Sequence, residues 1–167
     1  GDMSDMAAMR ILYRSGEDMA GRPVMTLVGQ HLEVAQRTGE LERFLLYAVK
    51  LMEPVCCEGP YSMVYYHSGC TSSPGLAFVR RLHAALGPAH KDNLKVLYVV
   101  HPTVKLRAAL WAMVAMRFGV SYRVFSKSVS IDRLQDLFRC ISKEQLQVPD
   151  FVEQHDEEMH GGGKGGA

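Results

Sequence analysis

Hydrophobic positions along this chain fall into two alternating periods. Residues 10–14 (Arg-Ile-Leu-Tyr-Arg) and 23–30 (Pro-Val-Met-Thr-Leu-Val-Gly-Gln) are dense in β-forming side chains. The turn-rich segment 15–21 (Ser-Gly-Glu-Asp-Met-Ala-Gly) separates them, which predicts a hairpin. Over 40–52 the period becomes helical, with Leu41, Phe44, Leu45, Ala48, Val49 and Met52 on one face. Glu40 and Glu42 sit in its first turn, where acids suit the dipole, and Pro54 is expected to end it. Residues 61–67 (Tyr-Ser-Met-Val-Tyr-Tyr-His) read as a buried strand, and 68–75 as a polar loop. Ser73 before Pro74 has the form of an N-cap followed by a first-position proline. The helix after it places Leu76, Val79, Leu82 and Leu86 on one side.

Residues 94–101 (Leu-Lys-Val-Leu-Tyr-Val-Val-His) form the strongest strand pattern in the chain. Pro102 and Thr103 then open an apolar helix, and 122–125 read as a last short strand. Ile131, Leu134, Leu137, Phe138 and Ile141 mark an amphipathic helix opened by Ser130. Ser142 with Gln145, and Asp150 with Glu153, have capping-box spacing and predict short closing turns. A hairpin followed by alternating helices and strands predicts an α/β fold: a mostly parallel five-stranded sheet flanked by helices, with right-handed crossovers. The expected organisation is a flexible leader or cut end over 1–9, one domain over 10–157, and a flexible Gly-rich tail over 158–167.

Charge singles out one part of this pattern. From Asn93 to Ile131 there is no Asp or Glu, while Lys95, Lys105, Arg107, Arg117, Arg123 and Lys127 lie within it. Inside it, 108–116 (Ala-Ala-Leu-Trp-Ala-Met-Val-Ala-Met) is apolar on every helical face. Lys105 and Arg107 occupy the first turn of that helix, where cations oppose the dipole. Two readings fit: a buried helix flanked by solvated charges, or a segment suited to an anionic amphiphile or membrane surface. In the second, Leu106, Leu110, Trp111, Met113, Val114 and Phe118 line a lipid-sized cavity, and Lys105 and Arg107 meet phosphate. Trp111 alternatively suits a membrane interface.

Other chemistries find little support. A net charge of +1 argues against general nucleic-acid binding. The longest apolar run is nine residues, too short to span a bilayer as a helix. Cys56, Cys57, Cys70 and Cys140 form no CxxC pair, and adjacent Cys56 and Cys57 bridge poorly, so free thiols in a reducing cytosol are expected. His67 or His101 as base with Cys70 or Ser72 as nucleophile is the only catalytic pairing on offer. It lacks a GxSxG elbow, a P-loop and a phosphatase arginine, so no enzyme is expected. His67, Cys70, His83, His90 and His101 lack tight metal-ligand spacing, and there is no dinucleotide fingerprint. No cofactor is expected.

The segment 94–103 (Leu-Lys-Val-Leu-Tyr-Val-Val-His-Pro-Thr) resembles the central strand-and-turn signature of divergent CRAL-TRIO domains. Segment 137–152 is similar to that family's closing segment, and 18–24 (Asp-Met-Ala-Gly-Arg-Pro-Val) to its opening hairpin turn. Residues 51–54 and 67–73 match in place and character, so the resemblance runs from about Arg10 to Asp156. Within the family the chain is most similar to the C-terminal domains of ganglioside-induced differentiation-associated proteins, then to the BCH domains of Rho GTPase-activating proteins. In the first group the domain usually follows a macro domain, so this chain is expected to be part of a longer protein. The resemblance implies a lipid-exchange fold whose sheet floors a hydrophobic pocket behind a mobile gate, matching 103–118 here. The span from His101 to Tyr122 is short for such a gate, which implies a small or open pocket. The expected function is a non-enzymatic module holding a phospholipid or other hydrophobic molecule, cytoplasmic and peripheral at anionic membranes. The alternative is a BCH-like interaction scaffold that binds a small GTPase or self-associates.

Overall fold

The computed structural model describes residues 3–160 except Ser73 and Phe118, and leaves out the side chains of 89–91, 120 and 121. Its elements are α1 (Ser4–Ala8), β1 (Leu12–Glu17), β2 (Pro23–Val28), α2 (Gly29–Arg37), α3 (Leu41–Glu58), β3 (Tyr61–Tyr66), α4 (Pro74–Leu86) and α5 (Pro88–Asn93). They continue with β4 (Leu94–Val100), α6 (Val104–Ala115), α7 (Gly119–Phe125), β5 (Ser128–Ile131), α8 (Leu134–Phe138), a 3-10 turn at Lys143–Gln145, and α9 (Asp150–His160). The strands lie side by side in chain order. β1 runs antiparallel to β2, and each later neighbour pairs in parallel, as the sequence pattern predicts.

Sequential order has a packing consequence. If every crossover has the same hand, the connecting helices fall on one face. Alternation then divides the strands. Met25, Leu27, Met63, Tyr65, Leu97 and Val99 join residues of α2, α3, α4, α6 and α7 in one cluster. Val24, Val28, Val64, Tyr66, Tyr98 and Val100 face the other way. There they pack against the end of β5 and the segment beyond it, through Ile131, Leu134, Leu137, Ile141, Leu146 and Val152. This C-terminal stretch crosses the face to the far edge. At that edge Gln145 Oε1 accepts from Glu17 N at 2.8 Å, the Gln147 carbonyl accepts from the Tyr13 hydroxyl at 2.8 Å, and Gln147 Oε1 accepts from Arg10 at 2.7 Å. A Cβ at 16 would lie 1.9 Å from Gln145 Oε1, so a larger residue there would push the Gln145 side chain away from its bond to Glu17. The β1–β2 register shifts between Arg14 and Glu17, at this point of contact.

The structure corrects several boundaries. Residues 122–125 are not a strand but the end of α7, and the fifth strand is Ser128–Ile131. Val124 and Phe125 are adjacent and both buried in the helix-side cluster, which a strand half-buried on one face would not allow. Pro54 does not stop α3, which runs on to Glu58. The carbonyl left without its helical partner is that of Lys50, an exposed residue, while Val55 and Cys56 beyond the proline are buried. Ser130 and Ile131 belong to β5, and the next helix starts at Leu134. The segment from Asp150 is an 11-residue helix rather than a short turn. Ser4–Ala8, in the expected leader, form a helix that buries Met6. Residues 158–160 of the expected tail belong to α9, and the Ser73 cap and the rest of the tail, 161–167, lie outside the described residues.

The hairpin turn is tied to the sheet by Asp18. Its Oδ1 accepts from the Ala20 and Arg22 N–H groups at 2.9 Å, and its Oδ2 from Arg22 Nε at 2.7 Å and the Ser62 hydroxyl at 2.9 Å. Burial raises the pKa of this carboxyl. The Arg22 N–H and side chain, Ser62 and Ala20 outweigh it and hold the group below its ordinary value. A depressed pKa contributes stability above the unfolded value of about 3.9, lost as pH falls through the lower folded value. Asp18→Asn is expected to cost roughly 1.5–3 kcal/mol in urea unfolding at pH 7. The difference between variant and parent should shrink as the pH is lowered below about 4.

Candidate functional site

The chain turns sharply where β4 ends. His101 takes φ +55, rare for a residue with a side chain, and its N–H donates to the Ile131 carbonyl at 2.8 Å. Thr103 then caps α6, its hydroxyl oxygen accepting from Leu106 N at 3.1 Å. Leu106 and Leu110, one turn apart, are the only α6 residues buried among those described. Arg107, Leu110, Trp111 and Val114 recur at steps of three and four and form the adjacent stripe. With Phe125, Ser126, Ser128 and Ser130 they line a cleft of about 350 Å³ between α6 and the edge of the sheet. Ser128 and Ser130 stand in register with Leu97 and Val99, so they point to the helix-covered face. The cleft thus has an apolar wall on the helix and a hydroxyl floor on β5. Arg107, beside it, reaches past the end of β5 to an ion pair with Asp132.

Lys105 does not join Arg107. Two helical steps set them roughly 200° apart, and Lys105 lines a second cleft of about 180 Å³ with His67, Cys70, Thr71, Ser72 and Thr103. The loop there is built around buried Glu33 of α2. Glu33 accepts from the Thr71 N–H at 2.9 Å, the Thr71 hydroxyl at 2.7 Å and the Ser72 hydroxyl at 3.4 Å. Burial raises its pKa, but these bonds and one from Cys70 bring it below the ordinary value. Burial, reinforced by Glu33, pushes the Cys70 thiol up to about 12, so it stays protonated and unreactive at neutral pH. His67 is bonded to the Tyr65 hydroxyl at 2.8 Å, and burial lowers its pKa.

His101 links the loops. Its Nδ1 lies 2.6 Å from the Ser68 hydroxyl and its Nε2 2.8 Å from Asp156 Oδ1, which also accepts from Leu134 N at 2.9 Å. Burial lowers the His101 pKa against the pull of Asp156. A Ser–His–Asp chain invites a hydrolytic reading, but Ser68 has no exposed surface. The chain of bonds fastens α9 to the ends of β3 and β4. Of the residues considered for metal, His67 and Cys70 share the second cleft, whereas His83 bonds the Val79 carbonyl at 2.8 Å and faces Tyr61, at the opposite end of β3 from His67. The His90 side chain lies outside the described residues. Among those residues no cluster of three or more metal-ligating groups occurs.

Of the lipid-site candidates, Leu110, Trp111 and Val114 meet at the first cleft, with Arg107. Leu106 is fully buried in the core and Met113 is half-buried against it. Phe118 lies outside the described residues. Phe125, Ser126, Ser128 and Ser130 escape the sequence pattern because the last strand is placed too early. The alternation Ser128-Val129-Ser130-Ile131 is the signal that carries Ser128 and Ser130; Phe125, at the end of α7, and Ser126 have no such signal. Replacing Glu33 with Gln puts an NH2 group among donors. It is expected to lower stability by about 1–3 kcal/mol and to speed hydrogen exchange at the Thr71 amide.

A model of the divergent CRAL/TRIO domain matches residues 21–158. Ganglioside-induced differentiation-associated protein 2 of Danio rerio is 34% identical over 161 residues, 95% of this chain and 31% of that protein. The Mus musculus protein of the same name is 33% identical over 162 residues, 96% of this chain and 31% of that one. Rho GTPase-activating protein gacY of Dictyostelium discoideum is 32% identical over 153 residues, 90% of this chain and 20% of that protein. The chain therefore spans a third or less of these curated relatives. The crystal structure of Sfh5 shares the fold at a TM-score of 0.59 and 10% identity, over 93% of this chain and 62% of that one. Among the described residues no helix is long and apolar enough to cross a membrane. The family match and the shared sheet architecture together establish that the chain belongs to the divergent CRAL/TRIO family.

Proposed function

We propose that this domain is a non-enzymatic module that holds a hydrophobic ligand in the cleft between α6 and β5, with α6 as the movable cover. The observation that carries this is the state of α6. A helix apolar on all faces is expected to be buried on all faces. This one buries only Leu106 and Leu110 and leaves Val104 84% and Trp111 75% exposed, with Met116, just past its end, 63% exposed. Its cost in water is met if one side closes on an apolar ligand and the other rests on a bilayer. The stretch from Asn93 to Ile131 has no acid of its own and carries Lys105, Arg107, Arg117 and Arg123, which favours an anionic membrane surface, although Arg107 pairs with Asp132 and Arg123 lies 4.0 Å from Asp92. Membership of the CRAL/TRIO family supports the same reading.

The exposed outer face of α6 also suits a protein partner. The relative named as a Rho GTPase-activating protein makes a small GTPase, or a second copy of this chain, the second reading. Native mass spectrometry after incubation with mixed liposomes, with organic extraction of the bound material, separates the two. An extractable lipid adduct is expected. It should be lost in Ser130→Trp, which fills the cleft from the floor without disturbing the core, and in Leu110→Asp. Trp111 is the only tryptophan, so its emission should shift to the blue with anionic liposomes. A clean mass together with unshifted emission would defeat the lipid reading, and a GTPase pull-down or sedimentation as a dimer would replace it.

A further inference from the structure

Resting on that reading, we infer that the α6–β5 cleft is shaped for a single-chain amphiphile with an anionic head, and that Arg107 receives the head in exchange for Asp132. Three observations converge. The cleft holds about 350 Å³, at the lower end of the roughly 300–1,000 Å³ of small-molecule sites. Between its walls that gives room for one hydrocarbon chain, and the second chain of a diacyl lipid would be left outside them in water. Its lining is divided: Leu110, Trp111, Val114 and Phe125 supply the apolar part, and the serine hydroxyls the polar part. Ser128 already donates to the Phe125 carbonyl at 2.7 Å. A wholly apolar ligand would strand the Ser126 and Ser130 hydroxyls, whereas one with oxygens near its head can bond to them.

The third observation is the ion pair. Arg107 lines the cleft and is paired with Asp132, and both side chains are well exposed, at 40% and 62%. An exposed ion pair of this kind contributes little, so trading Asp132 for a ligand carboxylate or phosphate costs little. A ligand that covers the cleft takes water away from Arg107, and the fork of its guanidinium then holds such a group well. Asp132 thus acts as an internal stand-in for the head, keeping Arg107 aimed and weakening the grip on ligands that lack a charge. Lys105 takes no part, because it serves the separate cleft by the 67–72 loop.

The test measures binding of oleate, oleoyl lysophosphatidate, monooleoylglycerol and dioleoyl phosphatidate by native mass spectrometry and Trp111 emission. One-to-one adducts are expected with oleate and lysophosphatidate, about tenfold weaker binding with the neutral monoacylglycerol, and none with the diacyl lipid. The better of the two anionic probes identifies the head as carboxylate or phosphate. Arg107→Gln should remove the tenfold preference, and Asp132→Asn should tighten binding of the anionic probes several-fold, both with an unchanged unfolding midpoint. Diacyl lipid binding as tightly as the single-chain probes, or Asp132→Asn binding more weakly, would overturn this inference and leave the ligand cleft standing. No adduct with any of the four probes would remove the cleft reading itself.

Discussion

The order of the strands governs this molecule. Because β1 to β5 lie in chain order, the connections between parallel neighbours gather on one side of the sheet. That side receives α2, α3, α4, α6 and α7, and the other is left to the segment after β5. The last crossover is made of two short helices, α6 and α7, and it has to roof the edge of the sheet with the least material. The cleft at β5 is what remains uncovered. A sheet wound in both directions from its centre would place its opening at the reversal of strand order; here it lies under the final crossover.

The second constraint is the composition of α6. Elsewhere the helices separate polar from apolar faces, as α3 does with Phe44, Ala48 and Met52 inward. α6 does not, and its cations stand at the end of the helix where the dipole opposes them. Neither feature stabilises an isolated domain. Both become intelligible if the helix has two apolar neighbours, a ligand beneath and a lipid surface above, and if Arg107 and Lys105 answer to different clefts on its flanks.

Much of the architecture was legible from periodicity. β3 and β4 are nearly continuous apolar runs, broken by Ser62 and Lys95, because both their faces are covered for most of their length, and α3 and α4 show clear helical stripes. What was lost has particular causes. α2 succeeds β2 directly, with Val28 at its cap and no side-chain cap bond, so nothing in the local chemistry announces a change of period. Tyr122, Val124 and Phe125 are strong β-formers that tertiary packing places in a helix. The real fifth strand is half serine, because those positions face the cleft rather than the core. Of the site, the stripe on α6 could be read from spacing alone. The serine floor and the Arg107–Asp132 pair could not, since both depend on where β5 begins. The division of Lys105 from Arg107 comes from helical geometry, although their shared sign invites pairing them.

The cover on the second face of the sheet also sets a timetable for synthesis. Val24, Val64, Tyr66, Tyr98 and Val100 have no partner beyond their own sheet until Leu134 to Val152 have been made. A ribosome that has completed all five strands still carries a sheet open on one side, with its far edge lacking the contacts of Gln145 and Gln147. Such a surface is the kind that aggregates or recruits chaperones. The segment after β5, which brings no strand, therefore decides when the nascent chain ceases to be vulnerable, and a stop codon early in it would leave a folded half with its interior exposed.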